Sequence, residues 1–262
     1  MKKLILLISL CFTLTLSADA RMSVMHIAAG GHTDYTADAN CMGAWLMSSS
    51  ADETDISGEG GTLTESTDDD IPSVATSPTG YTTTSRDFEL GDQDWLEHAD
   101  GKSTDITGDD VTVVLWGKLE ADPGADVHAA MKGGSGDESY SLKCDDGSDG
   151  WEFRTSTDGT TVVRATGATA CQHTNWQFVA GVYNGTDIRI YYNGLLDSNG
   201  ADNPKAQTGN LHDADAGFYV GAYGAGAWDW WDGLISQVAV FNRALTAAEI
   251  LEIYTHGIQG AQ

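Results

Sequence analysis

The residues best placed to do chemistry sit in one loop near the carboxyl end, from Gly221 to Gly233, which reads GAYGAGAWDWWDG. It gathers Tyr223, Trp228, Asp229, Trp230 and Asp232 within ten positions. An aromatic ring outside the core can lie against the C–H face of a sugar while a nearby carboxylate accepts its hydroxyl protons. Trp228, Trp230, Tyr223 and Asp229 are therefore the expected sugar contacts, with Trp151 as a further candidate for exposure. The aspartates suggest a second chemistry, because calcium takes about six to eight oxygen ligands from carboxylates and backbone carbonyls. The Gly91-Asp92-Gln93-Asp94 and Trp228–Gly233 loops could supply them through Asp94 and Asp232, with Asp92 and Asp229 behind. The same residue type also forms turns and solvated surface.

No spacing of a catalytic centre accompanies these loops. The seven histidines are scattered without a His-Glu-x-x-His pair, and no Gly-x-Ser-x-Gly elbow or phosphate-binding glycine loop occurs. The expectation is a chain that binds rather than catalyses. Its charge narrows the partners further: 39 acidic residues against 13 basic give a net charge of −26. Such a surface repels nucleic acid and anionic lipid and suits saline or extracellular surroundings.

The amino end has its own logic. Lys2 and Lys3 precede an apolar run from Leu4 to Leu16, and Ser17-Ala18-Asp19-Ala20 offers the small residues that signal-peptidase cleavage requires. The run is shorter than the roughly 20 residues a spanning helix needs. Residues 1–20 thus read as a removed secretory leader, with no membrane insertion afterwards, and an uncleaved anchor is the lesser alternative. Without Lys2, Lys3 and Asp19 the chain keeps 11 basic and 38 acidic residues, a net charge of −27. Three cysteines remain: Cys41, Cys144 and Cys171. Export favours a disulfide, and Cys144 and Cys171 flank one predicted hairpin region, while bridges to Cys41 or between molecules stay open.

Strands must position these loops. Residues 21–40 carry no clear period and read as an irregular lead-in, and 41–262 as one domain large enough for its own core. CMGAWLM from Cys41 is the first expected strand, followed by long acidic loops around a short strand near Leu63. Two short strands are expected around the Gly91-Asp92 turn, with Phe88 and Leu90 before it and Trp95 after it. The segment from Asp110 to Glu120 is a strand with two largely apolar faces, and three or four more follow between Val127 and Gly167. From Trp176 the period-two alternation breaks at Asn184-Gly185 and again at Asn193-Gly194, two turns whose tight form asks for positive φ at both central residues. Asn184-Gly185-Thr186 is formally a glycosylation acceptor and is read here as a turn. One helix is expected at the end: Thr246 and Glu249 form a capping box, Ile250, Leu251, Ile253 and Tyr254 a stripe, and Gly257 a stop. Many short strands with 31 glycines indicate an all-β sandwich.

Five motifs in order resemble the laminin-G-like branch of the concanavalin A-like superfamily. They are Trp45-Leu46 before Asp55-Ile56-Ser57-Gly58, the segment Asp87 to Leu96, the strand Val114 to Lys118, the hairpin Trp176 to Gly185, and the ending Trp231 to Ile250. The resemblance implies a jelly-roll β-sandwich of two antiparallel sheets with one short C-terminal helix. It also implies Trp45, Trp116 and Trp176 in the core, joined by Trp95 and Trp231, and an ion at a sandwich edge. Ser236-Gln237 replaces the family's Asp-Glu, which removes part of a metal site built there. Glucanases of this fold use Glu-x-Asp-x-x-Glu on one strand face. Here Glu53-Thr54-Asp55 is followed by Gly58, which breaks that pattern. Ala180 to Asn184 is similar to an alginate-lyase strand, but Arg86 to Leu90 only loosely echoes its partner motif, and Tyr183 is read as structural.

The expectation is a secreted, non-catalytic carbohydrate-binding or adhesion module, directed at a glycan or glycoprotein surface and able to use calcium. A surface-assembly protein that self-associates is the alternative, and a polysaccharide hydrolase or lyase on the same fold is the third.

Overall fold

The computed structural model describes residues 26–27, 31–66, 71–78, 84–101, 103–145, 150–226 and 228–260. The leader expected at residues 1–20 lies outside them. The principal strands are β1 (Cys41–Trp45), β2 (Ser85–Phe88), β3 (Leu96–His98), β4 (Asp110–Leu119), β5 (Val127–Gly134), β6 (Asp137–Asp145), β7 (Gly150–Gly159), β8 (Val162–Ala170), β9 (Gln177–Asn184), β10 (Asp187–Tyr192), β11 (Phe218–Val220) and β12 (Gly233–Phe241). They form two antiparallel sheets. The seven-stranded sheet runs β8-β7-β6-β5-β11-β3 and ends on Thr64–Glu65. The nine-stranded sheet runs from Leu195–Leu196 through β10-β9-β4-β12-β2 to Ser73–Val74, with β1 and Lys205–Ala206 paired at its sides. The helix α1 spans Ala247–His256.

The main core lies between the sheets and includes Trp45, Phe88, Leu115, Trp151, Phe153, and Trp231, all buried. A second cluster lies on the other face of the nine-stranded sheet, where Val114, Trp116 and Phe178 meet Ile250 and Ile253 of α1 and Tyr35 of the lead-in. That explains the two apolar faces of β4. One faces the opposite sheet and the other lies under the helix.

Several expectations are corrected in detail. Within the described part of the lead-in, Thr33–Asp34 is a short strand and Tyr35–Ala37 a one-turn helix, where the Tyr35 N–H donates to Ile258 O and its hydroxyl to Glu252. The two short strands expected around the Gly91-Asp92 turn are present, and the turn carries the chain from β2 in the nine-stranded sheet to β3 in the seven-stranded one. Asn193 and Gly194 both take positive φ, 47° and 80°. At the other turn only Gly185 does, while Asn184 Oδ1 accepts the N–H groups of Thr186 and Asp187. Trp176 is half-buried just before β9 rather than in a strand. On α1 the capping box is present, Ile250 and Ile253 are buried, and Leu251 faces out.

The Ser236-Gln237 departure has a structural counterpart. Between Ser236 and Ala239 the register of β12 against β4 gains one residue, with Gln237 at φ 48°, so this point is a β-bulge.

Candidate functional site

The Gly221–Gly233 loop leaves the end of β11 and enters β12, and its backbone folds onto itself. Tyr223 N–H donates to Trp228 O at 3.0 Å, which brings the two rings into a stack 5.3 Å apart and 16° from parallel. Trp228 remains 46% exposed, so one indole face is offered to solvent. Behind it Tyr223 meets the His128 ring edge-on at 4.9 Å. Asp229, at φ 54°, turns back toward β5: its carbonyl accepts the His128 N–H at 2.9 Å and its carboxylate lies 3.5 Å from His128 Nδ1. Burial holds the His128 ring below its usual protonation range. Gly226 passes so close over Trp95 that a Cβ there would meet the ring at 2.3 Å, and so Trp95 supports the loop from beneath.

Trp230 is half-buried with its indole N–H enclosed and unpaired. Trp151, expected at the surface, is instead fully buried. Its Nε1–H donates to Gln177 Oε1 at 2.9 Å and its ring packs 5.8 Å from Trp231. The signal was present in the alternation Trp151-Glu152-Phe153-Arg154, which sends both aromatics to the core face and the charged pair to the other face, where Glu152 is covered by Lys143 and Arg164.

The structure also regroups the carboxylates. Asp94 is buried and its Oδ2 accepts the Glu89 N–H at 2.9 Å, which closes the 89–94 turn from inside. Asp229 faces His128, as above. Asp92 is exposed on that turn, and Asp232 accepts the Leu90 N–H at 3.2 Å, tying the turn to the aromatic loop. The acidic group formed here is a different set: Asp87, Glu89 and Glu120 each bring a carboxylate oxygen within 4.8 Å of the others. Register explains it. Phe88, Gly233 and Leu119 stand side by side on β2, β12 and β4. Asp87 and Glu89 flank the first of these and Glu120 follows the last. Burial, then Glu120 and Asp232, raises the Asp87 carboxyl above its usual range. Burial followed by Asp87, Glu120 and Asp232 does the same for Glu89. Three hard oxygen donors under mutual repulsion could hold a metal ion.

Among the residues compared with catalytic motifs, Glu53, Asp55, Arg86 and Tyr183 make structural contacts. Glu53 is buried beside Arg86, which is itself fully buried and also pairs with Glu65. Asp55 caps the 55–60 turn by accepting from Ala44, Ser57, Gly58 and Gly60. Tyr183 is buried and donates to Gly209 O at 2.6 Å. Cys144 and Cys171 form a disulfide with Cα atoms 6.1 Å apart, and Cys41 is a buried thiol pushed up to about 12 by burial.

Two antiparallel sheets around a shared core, with one helix at the carboxyl end, define a jelly-roll β-sandwich protein. Residues 90–251 match a laminin-G family model described as the concanavalin A-like lectin/glucanases superfamily, and the chain belongs to that family. No curated protein sequence matches the chain. Among solved structures, it resembles domain 4 of an extracellular arabinanase from Geobacillus stearothermophilus in complex with arabinotriose, with TM-score 0.60 and 15% identity over 82% of this chain and 98% of that one. It is also similar to the ligand-binding domain of botulinum neurotoxin serotype D in complex with N-acetylneuraminic acid, with TM-score 0.57 and 13% identity over 82% of this chain and 50% of that one. A sialidase from Trypanosoma rangeli matches with TM-score 0.59 and 12% identity, over 86% of this chain but 34% of its own. At these identities the likeness shows the fold alone. That fold occurs in binding domains and in glycosidase chains alike.

Proposed function

We propose that the protein is a secreted, non-catalytic carbohydrate-binding or adhesion module whose contact surface is the Tyr223–Trp228 stack. The observation that carries this reading is the exposed Trp228 face, held flat by Tyr223 and backed by His128 and Asp229. A flat, preordered ring loses little freedom when a sugar lies on it. The arabinotriose and N-acetylneuraminic acid complexes of its structural neighbours point to the same ligand class. Secretion is supported by the Cys144–Cys171 disulfide. Calcium fits the Asp87, Glu89 and Glu120 group, whose oxygen donors and charge suit a hard cation. A glycan array probed with and without chelator tests the reading, and absence of binding in both conditions would sink it.

One observation favours self-association as a second reading. Leu195 (65% exposed), Leu196 (41%) and Leu251 (42%) lie where the edge of the nine-stranded sheet meets α1. Sedimentation analysis distinguishes a monomeric binder from an assembly subunit.

A further inference from the structure

Nine of the chain's 13 lysines and arginines fall among the described residues, and eight of these nine are ion-paired to a carboxylate. The ninth, Lys118, stands in one row with Asp87 across β4, β12 and β2, where its charge favours the Asp87 carboxylate. At the eight paired cations a ligand carboxylate would have to displace a protein carboxylate. That exchange gains little.

The cation nearest the aromatic pair shows the problem locally. Arg154 on β7 acts on Tyr223 electrostatically, as do Glu138 and Asp229. Arg154 Nε lies 3.4 Å from Glu138 Oε1, and Glu138 is buried against it. The opposite residue on β8 is Arg164, which is turned to Glu152 at 3.2 Å. The charged side chains under the stack are Arg154 against Glu138 and Asp229, a local excess of negative charge. Long-range repulsion from the whole acidic surface adds to it.

We infer that the Tyr223–Trp228 surface takes neutral oligosaccharides and rejects sugars that carry a carboxylate, such as uronic and sialic acids. The inference rests on the sugar-binding reading above and specifies its ligand class. A neutral sugar needs a ring face and a hydroxyl-proton acceptor, which Trp228 and the Asp229 carboxylate offer. An acidic sugar also has to offset its own charge, and no unpaired Lys or Arg stands at the stack among the described residues to do so.

The test compares the full chain's affinity for neutral trisaccharides of glucose, xylose and arabinose with that for trigalacturonate and sialyllactose, by calorimetry at 0.15 M and 0.5 M NaCl. Binding of at least one neutral trisaccharide, tenfold or more tighter than either acidic one at both salt concentrations, is the expected result. Acidic sugars binding as well as or better than neutral ones would overturn the inference and leave the glycan reading standing. No binding of either kind would overturn both. Glu138→Gln gives an independent readout: it releases Arg154 while keeping an acceptor for Ser141, and should raise affinity for the acidic sugars at least fivefold, with neutral binding unchanged. A melting curve confirms that this variant is folded. No gain in a folded Glu138→Gln protein would also count against the inference.

Discussion

Trp228 is the side chain on which the binding reading turns, because it is large, exposed and held by a stack rather than by the core. Trp228→Ala should weaken neutral-sugar affinity by about 2 kcal/mol, roughly thirtyfold. Its melting temperature should stay near that of the parent. Trp151→Ala is the opposite case: calorimetric unfolding should show a loss of about 3–5 kcal/mol from the emptied core volume. The two residues looked alike in sequence, yet the alternation around Trp151 already contained its inward direction. The acidic triad was not legible in that way, since Glu120 is far in sequence from Asp87 and Glu89 and meets them only through the register of three strands. Its protonation gives a further prediction. Asp87 and Glu89 have folded values raised above the ordinary carboxylate range near ~4, so their contribution to stability is present at acid pH and is lost as pH rises through the raised values. Calcium should therefore raise the melting temperature at neutral pH and lose that effect on acidification, as protons compete for the same oxygens. A calcium shift that persisted unchanged under acid conditions would place the ion elsewhere.

At the scale of elements, sequence patterning carried most of the fold because each strand and the helix advertise themselves locally. Thr246 and Glu249 specify the start of α1 within four residues, and the structure shows both halves of the capping box. Thr246→Ala should cost about 1 kcal/mol of unfolding free energy, measured by denaturant titration. What local pattern lacks is the partner of each strand. The turn between β2 and β3 joins two short strands that are adjacent in sequence but belong to opposite sheets. The apolar outer face of β4 was equally ambiguous until α1 and the lead-in were seen to cover it. The Cys144–Cys171 bridge joins the end of β6 to the residue following β8, across 27 positions. Chain-entropy reasoning gives such a loop about 3–4 kcal/mol. Cys171→Ser should lower stability by an amount of that order, and sugar affinity should hold because the bridge lies outside the Gly221–Gly233 loop.

For the whole molecule the dominant quantity is charge, which composition alone supplies and folding distributes. With 39 acidic and 13 basic residues in the chain, carboxylates far outnumber the cations that could pair with them, and among the described residues most carboxylates make no salt bridge. Their mutual repulsion opposes compaction, and it is screened over about 8–10 Å at physiological salt and over about 30 Å at 0.01 M. Raising NaCl from 0.01 M to 0.5 M should therefore raise the melting temperature by several degrees, corresponding to about 1–2 kcal/mol for a domain of this size. Screening does not depend on which monovalent cation is used. Choline chloride should match sodium chloride at equal ionic strength, whereas an ion held by Asp87, Glu89 and Glu120 would act at millimolar concentration and depend on its identity. A melting temperature that is indifferent to both salts would mean that the surface carboxylates stand far enough apart, or bind counterions closely enough, for repulsion not to limit stability. Saline surroundings would then be tolerated by this protein rather than favoured by it.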